Sequence, residues 1–422
     1  MNISVIGLGY VGIVTSSCFS SLGHIVYGCD LSIEKVDKLS EGKMPFIEPK
    51  CEYLLKQSIK NRLFFPSIDL TECLDNADLV FICVGTPPAD DGSVDLSSIK
   101  KVIKEIGNYI SIREKWLGVC IRSTIPIGTT RNTIIPMLEH YSNKKVGTDF
   151  SVAFCPEFLR EGNAVEDFLK PTVQVVANSD YKIEKIMNNL WESLDSSFEY
   201  FDVSFEDAEL YKYASNAFHA LKITFANEIS LISESFNSNG HKVMEILVSD
   251  TSLNISEKYL KPGFAFGGSC LPKDLKSIEY LSKERKLNIP VLNNIQKSNK
   301  LLIKNRSEQI SKEYNDNVGI SGFTFKEGTD DLRESSVIKL IYLIKNNFNF
   351  ISIYDKNIDP EKLLGENKLI WDNLMKISNV YFYNDPLEFL DSTENIVFHG
   401  KQKEIFYLIN ENKMKKNIFR LN

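Results

Sequence analysis

Residues 3–6, Ile-Ser-Val-Ile, run without a break into Gly7-Leu-Gly-Tyr-Val-Gly12, and this junction restricts the fold of the 422-residue chain more than any other feature. A short buried strand that ends in a glycine loop needs a helix to carry the chain back, and Ile13 to Leu22 reads as that helix. Ile25 to Cys29 then forms a second strand ending at an acid, Asp30. Strand, G-x-G-x-x-G, helix, strand and an acid about twenty residues on make a βαβ unit of the dinucleotide-binding kind. Amides at the helix start receive a pyrophosphate. Asp30 accepts hydrogen bonds from an adenosine ribose and repels a 2′-phosphate, which favours NAD over NADP.

Further strands are expected at Leu79-Val-Phe-Ile-Cys-Val84, Leu117-Gly-Val-Cys-Ile121 and Val152-Ala-Phe154. Each runs into a polar or glycine-containing loop: Gly85-Thr-Pro87, Arg122-Ser-Thr124 and Pro156-Glu-Phe-Leu-Arg-Glu161. Ligands of open α/β sheets sit beyond the carboxyl ends of the strands, so these loops are candidate cofactor edges; Thr86 and Thr124 equally suit satisfied turn hydroxyls. The last third repeats the plan, with Val318-Gly-Ile-Ser-Gly322, a helix from about Ser335 to Asn346, and Ile351-Ser-Ile-Tyr354 ending at Asp355. The echo extends to Asp69-Leu-Thr-Glu-Cys-Leu-Asp75 and Asp385-Pro-Leu-Glu-Phe-Leu-Asp391, each preceding an apolar strand. The second fingerprint is incomplete, so its ligand is not expected to be another dinucleotide.

Between the two copies, Ser204 and Asp207 make a capping-box-like start to a helix running to about Asn237, too long for a simple crossover. Lys212, Asn216 and His219 fall at i, i+4 and i+7 on one face, while Leu210, Ala217, Leu221 and Phe225 are expected to supply much of its apolar packing. The fold class is therefore α/β, with two Rossmann-like doubly wound domains joined by a central helical domain containing a long helix. The expected divisions are 1–200, 201–300 and 301–422. Past the long helix comes Lys261-Pro-Gly-Phe-Ala-Phe-Gly-Gly-Ser-Cys270, with Lys273 and Asp274 beyond. A cysteine in a bend is ordinarily a small buried hydrophobe. Here Gly267 and Gly268 are expected to let backbone approach a ligand, and a neighbouring cation favours a thiolate, so Cys270 reads as a nucleophile.

Charge and cysteine usage narrow the function classes. A net charge of -7, with no basic run interleaved with aromatics before the last dozen residues, argues against a nucleic-acid partner. Eight scattered cysteines without a Cys-x-x-Cys fit a reducing cytosol, and five scattered histidines offer no metal-ligand spacing, so no metal is expected. No apolar run of eighteen residues appears, and the start reads as a strand and not a signal peptide, so neither a membrane span nor export is expected.

With these pieces placed, nearly the whole chain resembles the UDP-glucose/GDP-mannose dehydrogenase family. The resemblance rests on Gly7-Leu-Gly-Tyr-Val-Gly12, Val84-Gly-Thr-Pro87, Arg122-Ser-Thr124, Pro156-Glu-Phe-Leu-Arg-Glu161 and the Lys212 to Asn227 helix. It rests equally on Gly267-Gly-Ser-Cys270 with Pro272-Lys-Asp274, and on Phe325-Lys-Glu-Gly-Thr-Asp-Asp-Leu-Arg-Glu334. His219 within Asn216-Ala-Phe-His-Ala-Leu-Lys222, the run Pro262-Gly-Phe-Ala-Phe266 and Gly365-Glu-Asn-Lys368 look closer to its GDP-mannose branch. Lys261 departs from the arginine of that pattern, and the final strand carries Phe419 and Arg420 where relatives have an acid.

The resemblance implies an NAD-dependent four-electron oxidation of a nucleotide-sugar C6 alcohol to the uronic acid, GDP-mannose to GDP-mannuronate, for surface polysaccharide. It makes Cys270 the covalent carrier of a thiohemiacetal and then a thioester. Lys212 and Asn216 become stabilisers of oxygen charge, Asp274 the orienter of water with Thr124, and Glu157 a further acid–base group. NAD would lie along Gly7, Gly9, Tyr10, Val11 and Gly12, with Asp30, Lys35, Thr86, Thr124 and Lys326 around it. Substrate would lie along Phe158, Leu159, Arg160 and Glu161, with Lys212, Asn216 and His219, and with Tyr259, Lys261, Gly263, Phe266 and Arg333 at its nucleotide end. It also implies a cytoplasmic homodimer through the central helix, or a larger assembly of such dimers. UDP-glucose and UDP-N-acetylmannosamine are the alternative substrates. A non-catalytic nucleotide-sugar-binding protein and a two-electron 3-hydroxyacid dehydrogenase are the alternatives from other classes. Against the first stand Cys270, Lys212, Asn216 and Asp274 together; against the second stand Cys270 and the third domain.

Overall fold

Apolar residues in the strands of the first third come in unbroken runs, which only a sheet covered on both faces accommodates. That is what forms: in β4 (Leu79–Ile82), Leu79 and Phe81 enter one core while Val80 and Ile82 enter another on the opposite face. The computed structural model describes residues 1–89, 93–194, 197–256, 263–268, 271–325 and 329–421. By internal packing it divides into two compact units, Met1–His219 and Ala220–Asn422.

The first unit holds β1 (Asn2–Ile6), β2 (Ile25–Cys29), β3 (Phe64–Ser67), β4, β5 (Leu117–Ile121), β6 (Phe150–Phe154), β7 (Val173–Asn178) and β8 (Glu199–Val203), in the spatial order β3-β2-β1-β4-β5-β6-β7-β8. Every pairing is parallel except β6 with β7. The order reverses between β1 and β4, the switch point beyond which a crevice opens at the carboxyl edge. The second unit holds β9 (Asn317–Ser321), β10 (Phe350–Tyr354), β11 (Val380–Phe382), β12 (Asn395–Phe398) and β13 (Asn417–Arg420), all parallel, in the order β11-β10-β9-β12-β13. It is the same winding in five strands, and the echo reaches the caps. Asp69 accepts from the amides of Thr71 and Glu72 ahead of β4, as Asp385 does from Leu387 and Glu388 ahead of β12.

Several expectations shift. The first helix spans Tyr10–Ser21, starting three residues earlier than the sequence suggests, because extended Gly9 caps it and its carbonyl already accepts from the Ile13 amide. Gly12 sits in that first turn because a Cβ there would meet the Gly7 carbonyl oxygen at 1.9 Å. β4 ends at Ile82 and the helix after β9 at Ile344, two residues short of expectation in each case.

The long helix spans Phe205–Ser235, with the Ser204 hydroxyl accepting from the Asp207 amide at 3.1 Å. Its packed stripe in the first unit is Phe205, Ala208, Glu209 and Lys212. Leu210, Ala217 and Leu221, expected to pack, are exposed and Phe225 is half-buried, because the stripe that meets the sheet is one turned away from theirs. β13 carries Arg420 at 4.5 Å over the Phe406 ring, a cation–π contact. No helix among the described residues is long and apolar enough to cross a membrane.

Candidate cofactor and active site

At the carboxyl edge of β1, β2 and β4, Gly7, Gly9, Asp30 and Lys35 line a cleft of about 520 Å³ together with Val84, Gly85 and Pro87. Gly7 turns the chain at φ 92°, where a Cβ would meet Val84 at 2.9 Å. Gly9 is different: a Cβ there would have nothing within 4 Å, so the loop leaves open space in front of the helix start. Asp30 accepts from the Leu8 amide at 2.8 Å and from Lys35 Nζ at 2.7 Å on Oδ2, and from the Ser32 amide at 3.0 Å on Oδ1. A carboxylate oxygen accepts more than one donor, so Oδ1 retains capacity for a ribose hydroxyl. Open space at Gly9, free amides at a helix start and an acid with spare acceptor capacity fit NAD. The counterpart in the second unit does not offer this. Asp355 is buried, and its Oδ2 is committed to the amides of Phe323 and Thr324 and the Thr324 hydroxyl, its Oδ1 to Asn357.

The remaining cofactor candidates occupy other places. Thr86 gives its hydroxyl to the Thr124 carbonyl at 2.7 Å, tying two edge loops together, so the satisfied-turn reading holds for its donor. Val11 is half-buried in the first helical turn. Tyr10 packs on Phe46, with centroids 5.0 Å apart, and donates its phenol to Glu48.

A second cleft of about 530 Å³ gathers Phe158, Leu159, Arg160 and His219 with Arg122, Tyr211 and Ser215. Beside it Lys212 is buried, and its ammonium donates to Glu157 Oε1 at 2.8 Å and to the Glu157 carbonyl. The ammonium also lies 5.1 Å from the centre of the Phe158 ring. Glu157 Oε2 accepts from the Leu159 amide at 2.8 Å, so one carboxylate both pairs the lysine and shapes the loop. Arg160 grips Asp167 through Nε and Nη2, and Asn216 and Glu161 are exposed.

Deeper in this cleft lies a group the sequence reading left without a role. The Arg122 guanidinium is buried between Phe168 and Trp191, 5.5 and 5.6 Å from their ring centres. It donates to Cys155 Sγ at 3.5 Å, and Gln174 donates to the same sulfur at 3.0 Å. Burial pushes the Cys155 thiol up, but the bond with Cys120, the guanidinium and the Gln174 amide outweigh it and hold the thiol below its ordinary value.

Gly267 and Gly268 let protein come close: a Cβ on Gly267 would meet the Glu334 carbonyl at 2.5 Å, and one on Gly268 the Phe325 ring at 2.7 Å. Phe266 bonds Asn299 through both amide and carbonyl, and Gly263 is exposed. Asp274 is an exposed residue near the start of the helix Leu271–Glu284, 3.5 Å from Lys273 Nζ. Arg333 makes a two-pronged bond to Asp331, at 2.9 and 2.8 Å, and lines a cleft with Lys273, Lys276, Tyr280 and Glu366. Cys270, Tyr259, Lys261 and Lys326 lie outside the described residues.

Some structural residues of the site escaped the sequence reading. Glu48 and Glu209 are buried carboxylates that each hold amides of a distant segment. Their sequence signal is slight: Glu48 is an acid among apolar residues and prolines in Met44-Pro-Phe-Ile-Glu-Pro49, and Glu209 one acid among several on its helix.

A glycine loop over a helix start, at the switch point of a doubly wound sheet with an acid placed to accept from a ribose, defines a dinucleotide-binding protein of the kind NAD-dependent oxidoreductases are built on. Residues 1–195 match the NAD binding domain of the UDP-glucose/GDP-mannose dehydrogenase family, residues 206–301 its central domain and residues 319–420 its UDP binding domain. GDP-mannose 6-dehydrogenase of Pseudomonas savastanoi pv. phaseolicola is 37% identical over 407 residues, 96% of this chain and 92% of that one. UDP-glucose 6-dehydrogenase of Rickettsia typhi is 34% identical over 411 residues, 96% and 90% of the two chains. The crystal structure of a ternary complex of GDP-mannose dehydrogenase from Pseudomonas aeruginosa superposes with a TM-score of 0.95 at 36% identity, covering 100% of this chain and 96% of that one. The chain belongs to the UDP-glucose/GDP-mannose dehydrogenase family and is an NAD-dependent oxidoreductase.

Proposed function

We propose that the protein oxidises the C6 alcohol of GDP-mannose to the carboxylate of GDP-mannuronate in two successive two-electron steps. What carries this reading is the likeness in fold, at full length, to a GDP-mannose dehydrogenase. NAD, when bound at Gly9 and Asp30, takes up the hydride that leaves C6, and two NAD are consumed per sugar. An aldehyde has no second hydride to give until a nucleophile makes it tetrahedral. The Cys270 thiolate adds to the aldehyde carbon, and the resulting oxygen charge is met by the Lys212 ammonium and the Asn216 amide. Loss of the second hydride leaves a thioester on Cys270. Water oriented by Asp274, with Lys212 and Thr124, displaces the thiolate and releases the carboxylate. The Lys212–Glu157 bond supports a proton exchanged between these two groups during the cycle.

Phe158, Leu159, Arg160, Glu161 and His219 would flank the sugar, with Tyr259, Lys261, Gly263, Phe266 and Arg333 toward the nucleotide and Lys326 toward the cofactor. The division into 1–200, 201–300 and 301–422 assigns NAD, dimerisation and nucleotide sugar to successive parts. A cytosolic homodimer through the long helix completes the proposal, supported by the exposed Leu210, Leu221, Ile223 and Leu231 on that helix.

NADH production from GDP-mannose, UDP-glucose and UDP-N-acetylmannosamine tests the substrate. GDP-mannose is expected to dominate with two NADH per sugar. Preference for a UDP-sugar refutes the assignment, and one NADH per sugar, or full turnover by Cys270→Ala, refutes the thioester route.

A further inference from the structure

Glu48 is a carboxylate in a place that ordinarily excludes one. It is buried, and three donors converge on it: the Tyr10 phenol, the Gly162 amide at 2.8 Å and the Ala164 amide at 2.9 Å. A buried charge persists only where hydrogen bonds replace water, and each of these donors would lose its partner if the carboxylate left. The three donors come from two separate parts of the molecule. Tyr10 is the first residue of the helix whose start faces the cofactor cleft, next to Gly9. Gly162 and Ala164 follow directly on Phe158 to Glu161, the loop along which substrate is proposed to lie.

The Tyr10 phenol, whose pKa is raised by burial and then by Glu48, and the Gly162 amide both donate to Glu48 Oε2, so phenol, amide and carboxylate form one cluster. Phe46, two residues before Glu48, packs on the Tyr10 ring and fixes its approach. An exposed ion pair, Lys50 to Glu166 at 2.7 Å, joins the segment that carries Glu48 to the helix Ala164–Leu169 outside the cluster.

We propose that Glu48 is a positioning residue that couples the cofactor loop at Tyr10 to the substrate loop 156–163, so that NAD in its cleft orders the loop that receives the sugar. The inference rests on the proposed placement of substrate along residues 158–161. Glu48 lines neither the cleft at Gly9 nor the cleft at Phe158. It acts by holding Gly162 and Ala164 at a fixed distance from Tyr10, and the geometry between reacting carbon and cofactor inherits that distance.

Hydrogen exchange of the full-length protein with and without NAD tests the coupling without any sugar. In the wild type NAD is expected to slow exchange in peptides over both 3–21 and 158–169. In Tyr10→Phe, which keeps the ring, and in Glu48→Gln, NAD still protects 3–21, but its effect on 158–169 falls roughly fivefold or more. Lys50→Ala, which cuts only the exposed pair, keeps the wild-type pattern. Glu48→Gln should lose roughly tenfold to a hundredfold in kcat, with KM for NAD changed much less. Equal protection of 158–169 in the wild type and both variants overturns the proposal. So does its absence from the wild type, or its loss in Lys50→Ala. If GDP-mannose proves not to be the substrate while the exchange pattern holds, the proposed function fails and the coupling through Glu48 stands.

Discussion

At Lys212 a buried ammonium depends on one carboxylate, and the two side chains are 8% and 14% exposed. Removing one partner of such a pair leaves an uncompensated charge, so Glu157→Ala should cost about 3 kcal/mol of stability. Lys212→Met in the same background should restore part of it, with a coupling of roughly 1 to 3 kcal/mol in urea unfolding. Additive losses would mean that the pair contributes nothing. Arg160 and Asp167 make the contrasting case. Burial pushes the Asp167 carboxyl up, but the side-chain and amide bonds from Arg160 outweigh it and hold it below the usual range. A folded-state pKa below the unfolded value stabilises the protein above the unfolded value, near about 3.9, and that contribution is lost as pH falls through the folded value. Arg160 is 73% exposed, so solvent screening limits the pair to about 1 kcal/mol or less. The thermal midpoint of Asp167→Asn should therefore fall below the wild type at pH 7 and converge with it in strong acid. A gap that persists there would mean that the pair's charge is not what stabilises. Lys212 was legible because helical spacing puts Asn216 and His219 on its face. Glu157 was legible only as part of a resemblance, since 55 residues separate it from its partner and no local period links them.

The same limit applies to whole elements, because buried glutamates and not sequence neighbours set where three of them sit. Glu48 receives the amides of Gly162 and Ala164, Glu209 those of Gly128 and Thr130 with the Thr130 hydroxyl, and Glu228 those of Val291 and Leu292. In each case the carboxylate satisfies amides at or just before a helix start, the groups a helix leaves unpaired. The donor elements lie 79 to 116 residues away for the amides of Thr130 and Ala164, so no capping box announces them. Local caps, by contrast, could be read directly, as at Ser204, and the winding of both sheets followed from strand, glycine loop, helix and acid. Glu209 lies one turn before Lys212 on the packed stripe and fixes the helix against Gly128 and Thr130, where the loop after β5 ends. Glu209→Ala should leave two buried amides without acceptors and cost roughly 3 kcal/mol in chemical unfolding. The Thr130 amide should exchange faster with it. A change below about 0.5 kcal/mol, the level of an ordinary surface substitution, would mean that water replaces the carboxylate there.

For the whole molecule, the exposed apolar residues of the long helix carry the most information. Leu210 and Leu221 were expected to supply apolar packing; in the single chain they are 49% and 48% exposed, with Ile223 at 63% and Leu231 at 44%. The sequence period finds an apolar stripe but cannot say whether its cover is the same chain or another. Here Phe205, Ala208, Glu209 and Lys212 already fill the contact with the first sheet, which leaves the remaining apolar residues for another surface. A second copy of the chain is the partner consistent with the proposed homodimer, since a stable interface of about 1,600 Å² needs an apolar centre of this kind. Leu210→Asp with Leu221→Asp, eleven residues apart and so on one helix face, places two carboxylates at that centre, where neither would be paired. Because both side chains are exposed in the single chain, the pair should shift the unfolding of an isolated protomer by less than about 1 kcal/mol. Light scattering should then report a dimer for the wild type and a monomer for the double variant, and NAD should still bind the monomer, whose cofactor cleft lies wholly within residues 1–219. Turnover should fall with the dimer if substrate pockets are shared across the interface. A monomeric wild type, or a variant that remains dimeric, would place the interface elsewhere and return the apolar face of this helix to an unexplained feature of the fold.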